Sequence, residues 1–142
     1  MAKALLLAEQ AFEEGEIPVG AIVVKDDIII GKGYNQVEKL SDPTAHAEMI
    51  AISAACENLG NKYLNGCTLY VTLEPCPMCA GALVWSKIDT IVYGASDTRS
   101  GSAGSIFNIT SNNNLNHQIK VIQGILELDS EYLLKSFFKT KR

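Results

Sequence analysis

The sequence has no apolar run long enough to cross a bilayer, which takes about 20 residues. Its longest uncharged apolar stretch, Pro75 to Ser86, is well short of that and holds two prolines. No secretory leader is expected either. A short apolar run, Ala4 to Ala8, follows Lys3, but Glu9, Glu13 and Glu14 continue it at helical spacing. Cysteine is sparse, at 4 in 142 residues, so a disulfide-stapled scaffold is not expected. These features together predict a reduced, cytoplasmic protein with no membrane contact. No repeat period is visible, which excludes a solenoid or propeller. Positive charge is short as well. The 12 basic and 16 acidic residues leave a formal net charge of −4, which on its own argues against a nucleic-acid partner.

What is present points to one domain over residues 1–142, because this length leaves no room for a second core. Hydrophobic residues at 47% against 20% charged exclude a wholly disordered chain. Met1 to Glu14 places Leu5, Ala8 and Phe12 on one helical face, and Gly15 and Pro18 end that helix. Val19 to Val24 and Ile28 to Tyr34 read as strands of a hairpin turning at Asp26-Asp27. Asp42-Pro43-Thr44 signals a turn and N-cap, with a helix running on to Leu59 and closed by Gly60-Asn61. Thr68 to Leu73 is a strand, and Pro77 to about Lys87 a helix. Thr90 to Tyr93, ended by Gly94, and Gln118 to Gln123 are further strands. Between them Ser100 to Asn116 reads as a long surface loop with one helical turn. The last helix, Ile125 to Lys139, carries Leu126, Leu133, Leu134, Phe137 and Phe138 as its apolar stripe. This order predicts an α/β fold. A mixed five-stranded sheet would carry a parallel portion, an antiparallel hairpin edge and helices on both faces.

Two clusters carry the chemistry: His46-Ala47-Glu48 and Pro75-Cys76-Pro77-Met78-Cys79. A Cys-x-x-Cys opening a helix gathers two thiols where the helix end favours negative charge. That serves metal ligation or a thioredoxin-like redox pair, and the motif alone leaves both open. His46 favours the metal. If its helix begins at the same sheet edge, His46, Cys76 and Cys79 supply three corners of a tetrahedron and leave the fourth for water. Two thiolates and an imidazole suit zinc. Glu48 is then placed to shuttle a proton, since such a centre acidifies water less than an all-histidine one. The plainer readings are a helix-capping histidine and a solvated first-turn acid. One geometric difficulty stands: residues two apart on a helix point about 200° apart. His46 and Glu48 converge only at a helix end. Cys56 and Cys67 read as small core residues.

His-x-Glu followed by Pro-Cys-x-x-Cys, each opening a helix, is the signature of zinc nucleobase deaminases. The sequence resembles the bacterial tRNA-specific adenosine deaminases, within the cytidine/deoxycytidylate deaminase superfamily. The resemblance rests on Gly15 to Ala21, Asp42 to Glu48, Thr68 to Cys76 and Cys79 to Ala82. It continues through Gly101 to Ser105, Leu115 to His117 and Phe137 to Lys139. It implies a cytidine deaminase-like α/β/α sandwich, a homodimer and one Zn2+ per subunit. The implied reaction is hydrolytic conversion of adenosine to inosine at the wobble position of a tRNA anticodon, in an arginine tRNA stem-loop. By the same resemblance His46, Cys76 and Cys79 are the zinc ligands and Glu48 the catalytic acid/base. Asn35 would hold the nucleoside, and Asp97 would stand beside the RNA backbone. Without the family, Asn35 reads as a turn residue after a strand and Asp97 as a solvated loop acid. Tyr34 stands where the family often has Trp, and Ser130 where many relatives have Cys. Pro77 and Trp85 resemble the guanine deaminases of the same superfamily. Deamination of a free nucleobase or nucleoside is therefore the alternative. A thiol oxidoreductase or zinc-structured module is the third reading, and it would not need Glu48.

Charge distribution revises the first impression. Residues 1–86 hold 5 basic and 11 acidic side chains, whereas residues 87–142 hold 7 and 5. Lys135, Lys139, Lys141 and Arg142 close the chain without an acid after Glu131. A local RNA footprint is compatible with that pattern.

Overall fold

A computed structural model describes residues 1–141. Its elements are α1 (Ala2–Glu13), β1 (Gly20–Lys25), β2 (Ile28–Tyr34), α2 (Val37–Leu40), α3 (Ala47–Leu59), β3 (Thr68–Leu73), α4 (Pro77–Trp85), β4 (Thr90–Ala95), β5 (Lys120–Ile122) and α5 (Glu127–Thr140). The strand order is β2-β1-β3-β4-β5. β1 pairs antiparallel with both β2 and β3, whereas β3-β4 and β4-β5 are parallel. This is the expected mixed sheet of the cytidine deaminase-like sandwich.

Asp26 and Asp27 both have positive φ, at 50° and 62°, the conformation of a two-residue hairpin turn. Gly60, at φ 63°, terminates α3, with the Asn61 amide donating back to the Cys56 carbonyl. The main core lies between the sheet and the α3/α4 side. Ala21, Val23, Leu69, Val71, Ile91 and Tyr93 there meet Ala51, Ala55, Leu83 and Ile88. Cys67 belongs to that core and Cys56 packs at its margin, as free thiols.

Alanines and glycines bring helices unusually close to the strands. α1 buries Ala4, Ala8 and Ala11 rather than Leu5. The reason is Gly20, where any Cβ would collide with the Ala4 carbonyl. Gly33 does the same for α3, since a Cβ there would strike the Ala47 carbonyl. That fixes the N-terminus of α3 directly on β2, next to His46 and Glu48.

Several boundaries differ from expectation. Asp42 does not cap α3. Its carboxylate instead accepts from the Thr44 amide at 2.8 Å and the Thr44 hydroxyl at 2.7 Å, closing a local turn. The helix starts five residues later than Asp42, with His46 as its N-cap. Gly94 does not end β4 but lies within it, at a point where a Cβ would collide with Ser130 Oγ and the Thr72 carbonyl. Leu126 leaves the predicted stripe of α5. It sits before the helix at φ 56° and is exposed, and Phe138 is exposed too. Ser130 and Phe137 are the buried positions of α5. The 100–116 segment holds no helical turn, and a bridge pairs Ala103 with Asn108 instead. Short α2 has no counterpart in the sequence reading. Of the basic tail, Arg142 lies outside the described residues. No helix among the described residues is long and apolar enough to cross a membrane.

Candidate active site

The site forms where α3 and α4 begin. His46 is the N-cap of α3 and Cys76 the N-cap of α4, both with extended backbone. Pro77 occupies the first turn of α4, where its missing N–H costs nothing. Cys79 lies one turn along. His46 Nδ1 stands 3.6 Å from Cys76 Sγ and 3.5 Å from Cys79 Sγ. The three ligand atoms all lie within 4.8 Å of one another. A tetrahedral zinc with ordinary Zn–N and Zn–S bond lengths separates imidazole and thiolate ligands by about 3.5 Å. The cluster therefore has the spacing and the soft donors that zinc requires.

The helix-end position removes the difficulty over Glu48. His46 is not in the helix, so the helical rotation does not separate it from Glu48 in the first turn. Glu48 is 4% exposed. Burial pushes its carboxyl up to about 7, so it can accept or release a proton near neutrality. The thiols are strongly coupled. A hydrogen bond from Cys79 holds Cys76 down, to about 4, and the same bond with burial drives Cys79 far up. The pair thus shares one proton in the absence of metal. His46 is raised, chiefly by its bond to Cys76.

Above the cluster opens a cavity of about 740 Å³, lined by Asn35, His46, Glu48 and Cys76 among others. Asn35 follows β2 and is buried, donating through Nδ2 to the Ile17 carbonyl at 3.2 Å. Its Oδ1 is buried without a hydrogen-bond partner. Asn35 thus carries an unpaired buried acceptor at the cavity wall. Asp97 lies at the rim. Its carboxylate accepts from the Arg99 amide at 2.9 Å, the Ser100 amide at 3.2 Å and the Ser100 hydroxyl at 3.1 Å. Its first task is to shape its own turn. Phe137 and Phe138 of α5 also line the cavity, Phe137 from the core and Phe138 from the surface.

Two wall residues escaped the sequence reading. Glu16 is 1% exposed and accepts from the Glu38 amide at 3.0 Å and the Lys39 amide at 2.8 Å, pinning α2. Glu74 binds the opposite wall. The one available signal was an isolated acid ending an almost wholly apolar strand, Thr68 to Leu73.

The model of the cytidine and deoxycytidylate deaminase zinc-binding region matches residues 1–95. The chain is 55% identical to a tRNA-specific adenosine deaminase of Aquifex aeolicus, over 98% of this chain and 91% of the relative. The chain belongs to the tRNA-specific adenosine deaminase family. A solved tRNA:A34 deaminase structure, from a study of A-to-I editing at the wobble position of transfer RNA, superposes with a TM-score of 0.89. Its identity is 41%, over 92% of this chain and 95% of that one. A guanine deaminase from Bacillus subtilis is 45% identical, but over 72% of this chain and 66% of that chain, with a TM-score of 0.66. The deaminase assignment explains the donor set: zinc is the cofactor of this enzyme, and His46, Cys76 and Cys79 form a group able to hold a metal.

Proposed function

We propose that this protein hydrolytically deaminates adenosine to inosine at the wobble position of a tRNA anticodon. A buried carboxylate, Glu48, beside a zinc-compatible His-Cys-Cys cluster on the floor of a cavity with room for a nucleoside carries the reading. The full-length match to tRNA-specific relatives supports RNA over a free base. His46, Cys76 and Cys79 are assigned as the zinc ligands, one ion per subunit. When bound, zinc supplies Lewis acidity that makes water a nucleophile at neutral pH.

The chain's own residues supply the rest. Glu48 takes a proton from the attacking water on a carboxylate oxygen. Glu48 passes that proton to N1 of adenine as the water oxygen bonds to C6. It then takes the remaining hydroxyl proton and delivers it to the amino group; the C6–N bond breaks, C6=O forms, and ammonia departs. The balance is adenosine plus water giving inosine plus ammonia. Burial serves this cycle, because a carboxyl near 7 holds a proton almost as readily as it releases one. Asn35 Oδ1 accepts from the bound nucleoside, and Asp97 orders the rim beside the RNA backbone. Phe137, Phe138 and Lys141 face the same cavity, with Lys141 above the Phe137 ring at 5.2 Å. A stacking surface and a cation suit a splayed single-stranded loop.

Residues 1–142 act as one catalytic domain, in the cytoplasm, on an arginine tRNA, and as a homodimer. Trp85, 77% exposed, shares a face of α4 with Met78 and Ala82, an apolar surface suited to a second copy. Sequencing a wobble-adenosine anticodon stem-loop after incubation with zinc-loaded protein tests the activity. Inosine at the wobble position is expected. An unchanged stem-loop alongside rapid turnover of free guanine would support free-base deamination instead.

A further inference from the structure

Loop 97–105 is held from inside the protein by one carboxylate. Glu74 stands at the end of β3, two residues before Cys76, and is 2% exposed. Its Oε1 accepts from the Asp97 amide at 3.0 Å and from the Ser105 hydroxyl. Its Oε2 accepts from the Ala103 amide at 3.0 Å and the Ser105 amide at 3.1 Å. Backbone bonds run alongside. The Glu74 amide donates to the Ala95 carbonyl, and the Ser102 amide donates to the Pro75 carbonyl, both at 2.9 Å. Gly101 passes over the carboxylate so closely that a Cβ would meet Glu74 Cδ at 2.5 Å. A buried charge without donors would be strongly unfavourable. Here four donors from a single loop satisfy it, so the loop and the carboxylate hold each other in one arrangement.

We infer that Glu74 is a positioning residue for substrate binding: by holding loop 97–105 it presets the wall that Asp97 and Ser100 present to the nucleotide. Glu74, Asp97 and Ser100 all line the cavity. The Asp97 carboxylate is already engaged by its own turn, so Asp97 takes its place in the wall from the backbone that Glu74 holds. The metal cluster and Glu48 ride instead on the starts of α3 and α4. Loosening the loop moves the wall and leaves the floor in place. The inference rests on the deaminase reading above.

Kinetics on an anticodon stem-loop with zinc-loaded protein test it, using Glu74→Gln, Glu74→Asp and Ser105→Ala. The Gln variant replaces one acceptor oxygen with an amide nitrogen facing N–H donors. Its KM should rise about tenfold with kcat within about threefold. Zinc content should match the unaltered protein, and the amides of Asp97, Ala103 and Ser105 should exchange hydrogen faster. The Asp variant, which keeps charge and both oxygens, should recover most of the KM. Ser105→Ala removes a single donor and should raise KM about twofold to threefold. An unchanged KM in Glu74→Gln overturns the inference, as does loss of zinc or of kcat at constant KM. If Glu74→Gln does not fold, an unaltered KM in Ser105→Ala overturns it. If the unaltered protein does not act on the stem-loop, the substrate reading fails separately. Amide exchange then decides, and unchanged exchange over 97–105 in Glu74→Gln overturns the role of Glu74.

Discussion

Glu48 and Glu74 are the same side chain at nearly the same depth, 4% and 2% exposed, on one cavity. Their surroundings give them opposite work. Glu74 is saturated by four donors from one loop, and its charge is locked into holding that loop. Glu48 faces the His46 and cysteine cluster, and burial lifts its carboxyl to about 7. A buried carboxylate rich in donors fixes structure, whereas one left poised near neutrality moves protons. On the proposed function, the floor of the cavity carries the reaction and the rim carries recognition.

Replacing Cys76 by Ser should separate the two most sharply. Zinc binding and turnover should both be lost, measured by metal analysis and ammonia release, while amide protection over 97–105 persists. Loss of that protection would tie the rim to the metal and break the comparison. Glu48→Gln comes next. It should lower kcat about 10³-fold with zinc content and stem-loop affinity near normal. That is the reverse of the kinetic signature expected at Glu74.

A smaller effect concerns pH. Without metal the cysteine pair keeps a proton on Cys79, whose thiol is driven far up, and zinc must displace it. Zinc affinity should thus fall as pH falls, by about tenfold per pH unit for each proton displaced. Chelator competition at two pH values measures it, and a flat response would contradict a shared-proton pair. The smallest effect belongs to the rim. If Lys139 and Lys141 make two phosphate contacts, stem-loop KM should rise about sevenfold between about 50 and 200 mM salt, with kcat steady. An equal salt response in kcat would place charge effects on the floor.

The floor was far more legible in the sequence than the rim. His46, Glu48, Cys76 and Cys79 sit in short motifs at helix starts, where local backbone rules fix the geometry. Even there, the expected N-cap at Asp42-Thr44 fails, because Asp42 closes its own turn and His46 occupies the N-cap position with no side-chain capping bond. β2 and β3 were read at their observed bounds, since β-branched runs flanked by turn residues leave little choice. The rim depends on contacts distant in sequence. Glu74 reaches Ser105 across 31 residues, and Glu16 reaches Lys39 across 23. No local pattern announces such pairings. The alanine face of α1 was hidden similarly, because it is dictated by Gly20 on the neighbouring strand.

The central claim is that a deaminating floor is matched to an RNA-reading rim. Comparing kcat/KM for a wobble-adenosine stem-loop with those for free adenosine, guanine and cytidine tests it most directly. The stem-loop should be strongly preferred over every free compound. A free base or nucleoside that reacts as well as the stem-loop would contradict it.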